Sequence, residues 1–215
     1  RARDIMGGKE NVIAVIGDGS LSGGEALEGL DYAGEQNTNL IIVVNDNEMS
    51  IAENHGGLYK NLKLLRETNG AAEENMFKVW GFDYLYVENG NDVHALTEAF
   101  KKVKDTDHAV VVHIHTKKGK GLAFAENNPE RYHAGGPFDP KTGKYLYKDE
   151  GEDYSELIGE YLLKKMKEDE RVIAVNAATP SVLGFTKDRR EQAGKRFVDV
   201  GIAEENAVAM ASGMA

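Results

Sequence analysis

Two short, unbroken apolar runs, each emptying into a polar loop, constrain this chain more than any other feature. The first, Asn11-Val12-Ile13-Ala14-Val15-Ile16, leads into Gly17-Asp18-Gly19-Ser20, and the second, Leu40-Ile41-Ile42-Val43-Val44, into Asn45-Asp46-Asn47-Glu48-Met49-Ser50-Ile51. Short, continuous, turn-bounded runs rich in β-branched residues read as buried strands of a parallel sheet. Leu21 to Gln36 fits one helix between them, so the segment forms a βαβ unit. In such a sheet the loops at the carboxyl ends of neighbouring strands lie side by side, where ligands bind. Asp18 and Asn47 are thereby brought together beside a glycine-lined helix N-terminus, an arrangement suited to a magnesium ion holding a diphosphate.

Magnesium takes near-octahedral oxygen ligands and usually draws only a few from protein. A carboxylate from Asp18 and an amide oxygen from Asn47 fit that preference, with a backbone carbonyl near Met49 as a third donor. Gly17 and Gly19 let the backbone approach phosphate oxygens, and the amides opening the helix favour their charge. Read singly, Gly-Asp-Gly is a tight turn and Asn-Asp-Asn a solvated loop. Their occurrence at consecutive strand ends of one βαβ unit favours the ligand-binding reading.

The 215 residues, 41% of them hydrophobic, suffice for one large or two small domains with a real core. A net charge of −10 argues against a nucleic-acid or anionic-membrane partner, and an acidic protein binding an anionic cofactor needs a cation at the site. With no cysteine, disulfides, thiolate metal sites and cysteine catalysis are excluded. No run approaches the ~20 apolar residues of a membrane span. Both ends read as cut: the chain opens on Arg1-Ala2-Arg3, as though at the end of a helix, and stops at Gly213-Met214-Ala215 within another.

Strand-like runs at 11–16, 40–44, 82–87, 109–115, 171–176 and 197–201 alternate with helical stretches at 21–36, 57–68, 71–80, 92–104, 154–168 and 203–215. This predicts an α/β fold with a largely parallel sheet. Residues 117–152 lack a period and collect Gly, Pro, Asp and Lys, so they are either functional or a linker. A boundary near 150 is expected, with one domain over 1–150 that includes a linker at 117–150, and a second starting at 151–215. His113 and His115 alternate along 109–115 and share a face. No third metal ligand accompanies them, so a structural or supporting role is expected. Glu204 stands where a strand enters a helix among Val198, Val200, Ile202, Ala203, Ala207 and Val208. Burial there would raise its pKa and the helix N-terminus would lower it.

These motifs, taken in order, resemble a family. Gly-Asp-Gly followed by the downstream Asn is similar to the diphosphate-and-magnesium motif of thiamine-diphosphate enzymes. The continuation Asn45-Asp46-Asn47-Glu48-Met49-Ser50-Ile51 resembles the 1-deoxy-D-xylulose-5-phosphate synthase family of the transketolase-like group. The likeness continues through Thr116-Lys117-Lys118-Gly119-Lys120-Gly121, Tyr132-His133-Ala134, Phe138-Asp139-Pro140 and Asp199-Val200-Gly201-Ile202-Ala203-Glu204. It implies a parallel-sheet thiamine-diphosphate-binding fold, with a diphosphate domain followed by the start of a pyrimidine-binding domain. The implied cofactors are thiamine diphosphate and Mg2+. The implied reaction condenses pyruvate with glyceraldehyde 3-phosphate, releasing CO2 and giving 1-deoxy-D-xylulose 5-phosphate for isoprenoid and thiamine biosynthesis. A cytoplasmic homodimer is also implied.

The resemblance also assigns residues. Gly17, Asp18, Gly19, Ser20, Asn47 and Met49 would bind the cofactor, with Asp18, Asn47 and Met49 on the metal. Glu204 would hydrogen-bond the aminopyrimidine and promote its imino tautomer. Lys118 and His133 would face the substrates or the diphosphate, as a point charge and a proton-exchanging group respectively. The chain departs from the family pattern at Asn91, Leu122, Glu205 and Asn206, and it is some tens of residues shorter between Ile51 and Trp80. These departures leave the metal end of the cofactor intact and alter the surroundings of substrate and thiazole, as in a diverged paralogue. Another transketolase-type two-carbon transfer, or a cofactor-binding subunit without turnover, therefore stands as an alternative. A dinucleotide-binding oxidoreductase fits poorly, because Gly17-Asp18-Gly19-Ser20-Leu21-Ser22 lacks the third glycine of that fingerprint.

Overall fold

The computed structural model describes residues 1–147 and 151–215. The chain gathers into two compact units, one of residues 1–49 and 56–120, the other of 50–55 and 121–215. The division differs from the boundary expected near 150, because residues 121–147 pack with the C-terminal residues.

The first unit is a four-stranded parallel sheet in the order β1-β2-β4-β3, with β1 at Val12–Gly17, β2 at Leu40–Asp46, β3 at Asp83–Val87 and β4 at Ala109–His115. Alternation along the strands sends side chains to opposite faces. Ile42 and Val44 of β2 and Ala109 and Val111 of β4 meet Leu30 and Ala33 of α2 (Gly24–Gly34), Leu62 and Leu65 of α3 (Gly57–Glu67), and Phe77 of α4 (Met76–Val79). On the other face Ile41, Val43, Val110, Val112 and Ile114 pack against Ala99 and Val103 of α5 (Val93–Val103). A four-residue helix, α1 (Ala2–Ile5), precedes β1.

Three expectations are corrected here. β2 is buried, but β1 is not: it forms a sheet edge, and Ile13 and Val15 are 55% and 73% exposed. The residues packed on that sheet face are gathered over β2, β3 and β4, which leaves β1 uncovered. The helix expected over 21–36 is split, because Gly23 is extended at φ −65°, ψ 140°, so a 3-10 turn (Gly19–Ser22) precedes α2. The helix expected over 71–80 shrinks to α4, where the Asn75 side chain accepts from the amides of Phe77 and Lys78 and so sets the start.

In the second unit a two-stranded parallel sheet pairs β5 (Ala174–Asn176) with β6 (Phe197–Asp199). Leu163 and Met166 of α7 (Tyr154–Glu168) pack with Phe185, Ala193 and Ala174. α8 (Lys187–Ala193), which the sequence pattern does not announce, connects the strands, and α9 (Glu204–Met214) ends the chain. The described part of the expected linker is ordered by an aromatic cluster. Phe124 of α6 (Ala123–Asn127), Tyr132, Phe138 and Tyr145 lie with ring centroids 4.9–5.9 Å apart, and the Tyr132 hydroxyl donates to the Gly143 carbonyl at 2.7 Å. Arg190 of α8 grips Glu130 with two contacts of 3.2 Å, tying this segment to the second sheet.

Gly159 faces the Gly184 turn inside α7, and an added Cβ there would stand 2.3 Å from the Gly184 carbonyl oxygen, whereas one at Gly29 of α2 meets nothing within 4 Å. Alanine ordinarily gains about 0.5–1 kcal/mol over glycine within a helix. Gly29→Ala should therefore raise stability slightly. Gly159→Ala should lower it by about 1–3 kcal/mol, because overpacking against backbone outweighs propensity. Urea unfolding followed by circular dichroism checks both signs.

Candidate functional site

Parallel pairing of β1 with β2 aligns Gly17 with Asn45, and the Asp18 amide extends the ladder by donating to the Asn45 carbonyl at 3.0 Å. Asp18 and the loop carrying Asn47 thus leave the carboxyl ends of adjacent strands, as expected from the βαβ pattern. Asp18 is 1% exposed and opens the 3-10 turn, its carbonyl accepting from the Leu21 amide at 3.1 Å. Tyr59 of α3 pins this turn: its hydroxyl reaches Gly19 O at 3.2 Å and Ser22 Oγ at 2.9 Å. Burial raises the Tyr59 pKa, and the charges of Asp18 and Asp46 add to the rise.

Two local features fit a phosphate group. A Cβ built on Gly17 meets nothing within 4 Å, so open space borders the strand end. Gly23, which caps α2, offers no side chain to the first amides of that helix, and they remain suited to an anion. Ser20 is exposed within the turn. A magnesium ion fits the donor set as well, since Asp18 supplies one carboxylate and the neighbouring loop supplies neutral oxygens.

That loop is an Asx turn, with Asn47 Oδ1 accepting from the Met49 amide at 3.2 Å. Beneath it lies a charge network that the sequence reading missed. Asp46 is fully buried; its Oδ2 accepts from His113 Nε2 at 2.9 Å and from Arg66, and its Oδ1 accepts from the Glu48 amide at 3.0 Å. Burial alone would raise the Asp46 pKa, but the His113 hydrogen bond and the Arg66 guanidinium outweigh it and hold the carboxyl down at about 2. Tyr84 lies 2.7 Å from His113 Nδ1, and burial keeps its phenol protonated to well above its ordinary value. The Asp46 carboxylate can only accept, so His113 donates to it from Nε2, while the Tyr84 hydroxyl pairs with Nδ1. His115 lies 3.4 Å from Glu48 and 3.5 Å from Glu88. Both histidines are thus engaged with carboxylates, and among the described residues no cluster of three His, Cys, Asp or Glu is placed to hold a metal. The signal for the network was present in the polar residues Asp46 and His113 at the ends of apolar strands, but their pairing across β2 and β4 is not local.

Lys118 is half-buried just beyond β4. The departure at Asn91 has a defined place: its side chain accepts from the Lys117 amide at 2.8 Å, joining the loop after β3 to the exit of β4. Thr116 ties the same exit to β2 by donating from its hydroxyl to Asn45 Oδ1 at 2.6 Å.

Glu204 and His133 belong to the second unit. Glu204 opens α9 and is exposed; the apolar neighbours expected to bury it do not, since α9 has no buried residue and Val208 is exposed. The turn delivering Glu204 is held by Asp199, which accepts from Gly201 N at 2.9 Å, Ala178 N at 3.0 Å and Asn176 Nδ2 at 2.7 Å. Gly201 sits at φ +77° with the His55 carbonyl 3.0 Å from where a Cβ would be, so a side chain is unfavourable there twice over. His133 is exposed, and its amide donates to the Glu130 carbonyl at 3.3 Å.

A family model described as 1-deoxy-D-xylulose-5-phosphate synthase matches residues 1–73 and 66–116, and one described as transketolase, pyrimidine binding domain matches 150–215. The chain is 40% identical over 251 residues to 1-deoxy-D-xylulose-5-phosphate synthase 2 of Geobacter sulfurreducens, covering 100% of this chain and 40% of that protein. It is 38% identical over 250 residues to the 1-deoxy-D-xylulose-5-phosphate synthase of Clostridium beijerinckii, covering 100% and 40%. The chain thus spans about 40% of the length of the curated relatives it matches. The first match breaks at 66–73, inside the stretch expected to be short. No helix among the described residues is long and apolar enough to cross a membrane.

Removing the Tyr59 hydroxyl tests how the turn is held. Tyr59→Phe should cost about 1 kcal/mol of stability. It should also speed amide exchange at Leu21 and Gly23, whose amides close the turn, and hydrogen exchange read by mass spectrometry or NMR checks this.

Proposed function

We propose a function from a plain premise: this chain belongs to the 1-deoxy-D-xylulose-5-phosphate synthase family. It contributes the diphosphate-and-magnesium end and the cofactor-activating glutamate of a transferase that condenses pyruvate with glyceraldehyde 3-phosphate. The products are CO2 and 1-deoxy-D-xylulose 5-phosphate, a precursor for isoprenoids and thiamine. One observation supports this above the rest: Gly17-Asp18-Gly19-Ser20 and Asn45–Met49 leave the carboxyl ends of two adjacent, in-register parallel strands, with open space beside Gly17.

In this reading Asp18, the Asn47 amide oxygen and the Met49 carbonyl hold Mg2+, while Gly17, Gly19 and Ser20 line the diphosphate. The chemistry supplied by bound thiamine diphosphate is a nucleophilic carbon and an electron sink. Glu204 holds a proton against the aminopyrimidine from the first turn of α9. Lys118 offers its charge to a phosphate, and His133 exchanges a proton at the substrate oxygen. The same reading expects a homodimer in the cytoplasm. A transketolase-type transfer between sugar phosphates is the second reading, favoured by the departures at Leu122, Glu205, Asn206 and Asn91, the last of which is spent on the Lys117 amide.

Titrating the full-length protein with thiamine diphosphate should give binding that requires Mg2+ and is lost in Asp18→Ala; metal-independent binding would overturn the reading. Gly17→Ala should fold normally yet bind the cofactor more weakly, because its methyl enters the space assigned to phosphate. Glu204→Ala should cut turnover by about 100-fold or more. Pyruvate-dependent CO2 release separates the two substrate readings: its absence, alongside two-carbon transfer between sugars, selects the second.

A further inference from the structure

We infer that Asp46, locked by Arg66 and His113, is a positioning residue that presets the Asn47–Met49 loop for a divalent cation. The inference rests on the cofactor reading above, and its ground is the bonding around that loop. Asp46 makes a contact in each of three directions. His113 Nε2 holds Oδ2 from β4 at 2.9 Å, Arg66 holds the same oxygen from α3, and Oδ1 accepts from the Glu48 amide at 3.0 Å. Arg66 carries on to Glu48 Oε2 at 3.1 Å, so one guanidinium grips both the strand end and the loop. Its planar fork suits this double hold in a way a lysine would not.

Glu48 needs that hold, because it sits at φ +68°, a conformation non-glycine residues adopt only when their surroundings enforce it. With Glu48 turned left-handed, Asn47 closes its Asx turn on Met49 N at 3.2 Å, and the Asn47 and Met49 oxygens take fixed places. The strand below is fastened too, since Thr116 N donates to the Asp46 carbonyl at 2.8 Å. Asp46 ends the strand fully buried with both carboxylate oxygens bonded, whereas Asn47 lies just past it and is half-buried. The buried carboxylate is therefore committed to the scaffold and its neighbour is left for the metal. Supporting groups of this kind typically change metal affinity by about 10–100-fold when removed.

The test uses full-length protein, with Mg2+ as the varied ligand and thiamine diphosphate binding as the signal. Asp46→Asn removes the charge while keeping the shape, and Glu48→Ala cuts the Arg66 hold at an exposed side chain and so spares the core. Both should raise the Mg2+ concentration needed for half-maximal cofactor binding by about 10-fold or more. Excess Mg2+ should restore wild-type occupancy in both, because the ligands are present but loosely placed, and should fail to restore it in Asp18→Ala. A purely structural role would lower the melting temperature and leave the Mg2+ requirement of the folded protein unchanged. If Asp18→Ala abolishes binding while Asp46→Asn and Glu48→Ala keep the wild-type Mg2+ requirement, the positioning role is wrong. If Asp18→Ala itself has no effect, the cofactor reading fails first. Should Asp46→Asn not fold, Glu48→Ala decides alone.

Discussion

In-register parallel pairing of β1, β2 and β4 governs the geometry of the first unit. Each strand delivers its polar exit at the same edge of the sheet, because parallel neighbours end on the same side. Asp18 follows Gly17, Asn45 to Met49 follow Val44, and Thr116 to Lys118 follow His115, and the three exits are stitched by backbone and side-chain bonds through Asn45 and Asp46. The apolar content of β2 and β4 makes this pairing stable, since both strands are covered on both faces. A shift of one residue would turn Asp46 and His113 to the face now occupied by Val43 and Val112.

That edge combines two kinds of polar group. Asp46, His113, Arg66 and Tyr84 turn inward and satisfy one another, which is the condition for burying charge at all. Asp18 and Asn47, by contrast, leave the adjacent strand ends of β1 and β2 in polar loops, where the proposed function gives them a cation. The second unit repeats the device on a smaller scale. Its strand exit at Asp199 is held by Asn176 and Ala178, and the glycine at 201 lets the chain turn into α9 with Glu204 at its start.

Much of this was legible beforehand for physical reasons. β4 and α7 were delimited to the residue, because an unbroken β-branched run and a long amphipathic stretch leave little competition. Shorter elements depart from expectation where a single local contact overrides periodicity: Gly23 splits the first helix, and Asn75 starts α4 midway through the span expected for it. α8 and the ordered segment 121–147 went unread because their stability comes from ion pairs and aromatic packing. Arg190 with Glu130, and Tyr132 with Phe138 and Tyr145, are contacts between distant positions without a period to announce them.

By itself the chain determined the kind of sheet and the paired strand exits that carry Asp18, Asn47 and the glycines, since these follow from local residue type and the period of apolar runs. Tertiary structure alone decided which of these polar residues are buried in a bonded network. Asp46 and Asn47 are neighbours of similar chemistry, and only the approach of Arg66 from α3 and His113 from β4 separates their surroundings. It also decided that β1 is an edge and that Glu204 stands exposed, because burial depends on which elements cover a surface. Local sequence carries no record of that.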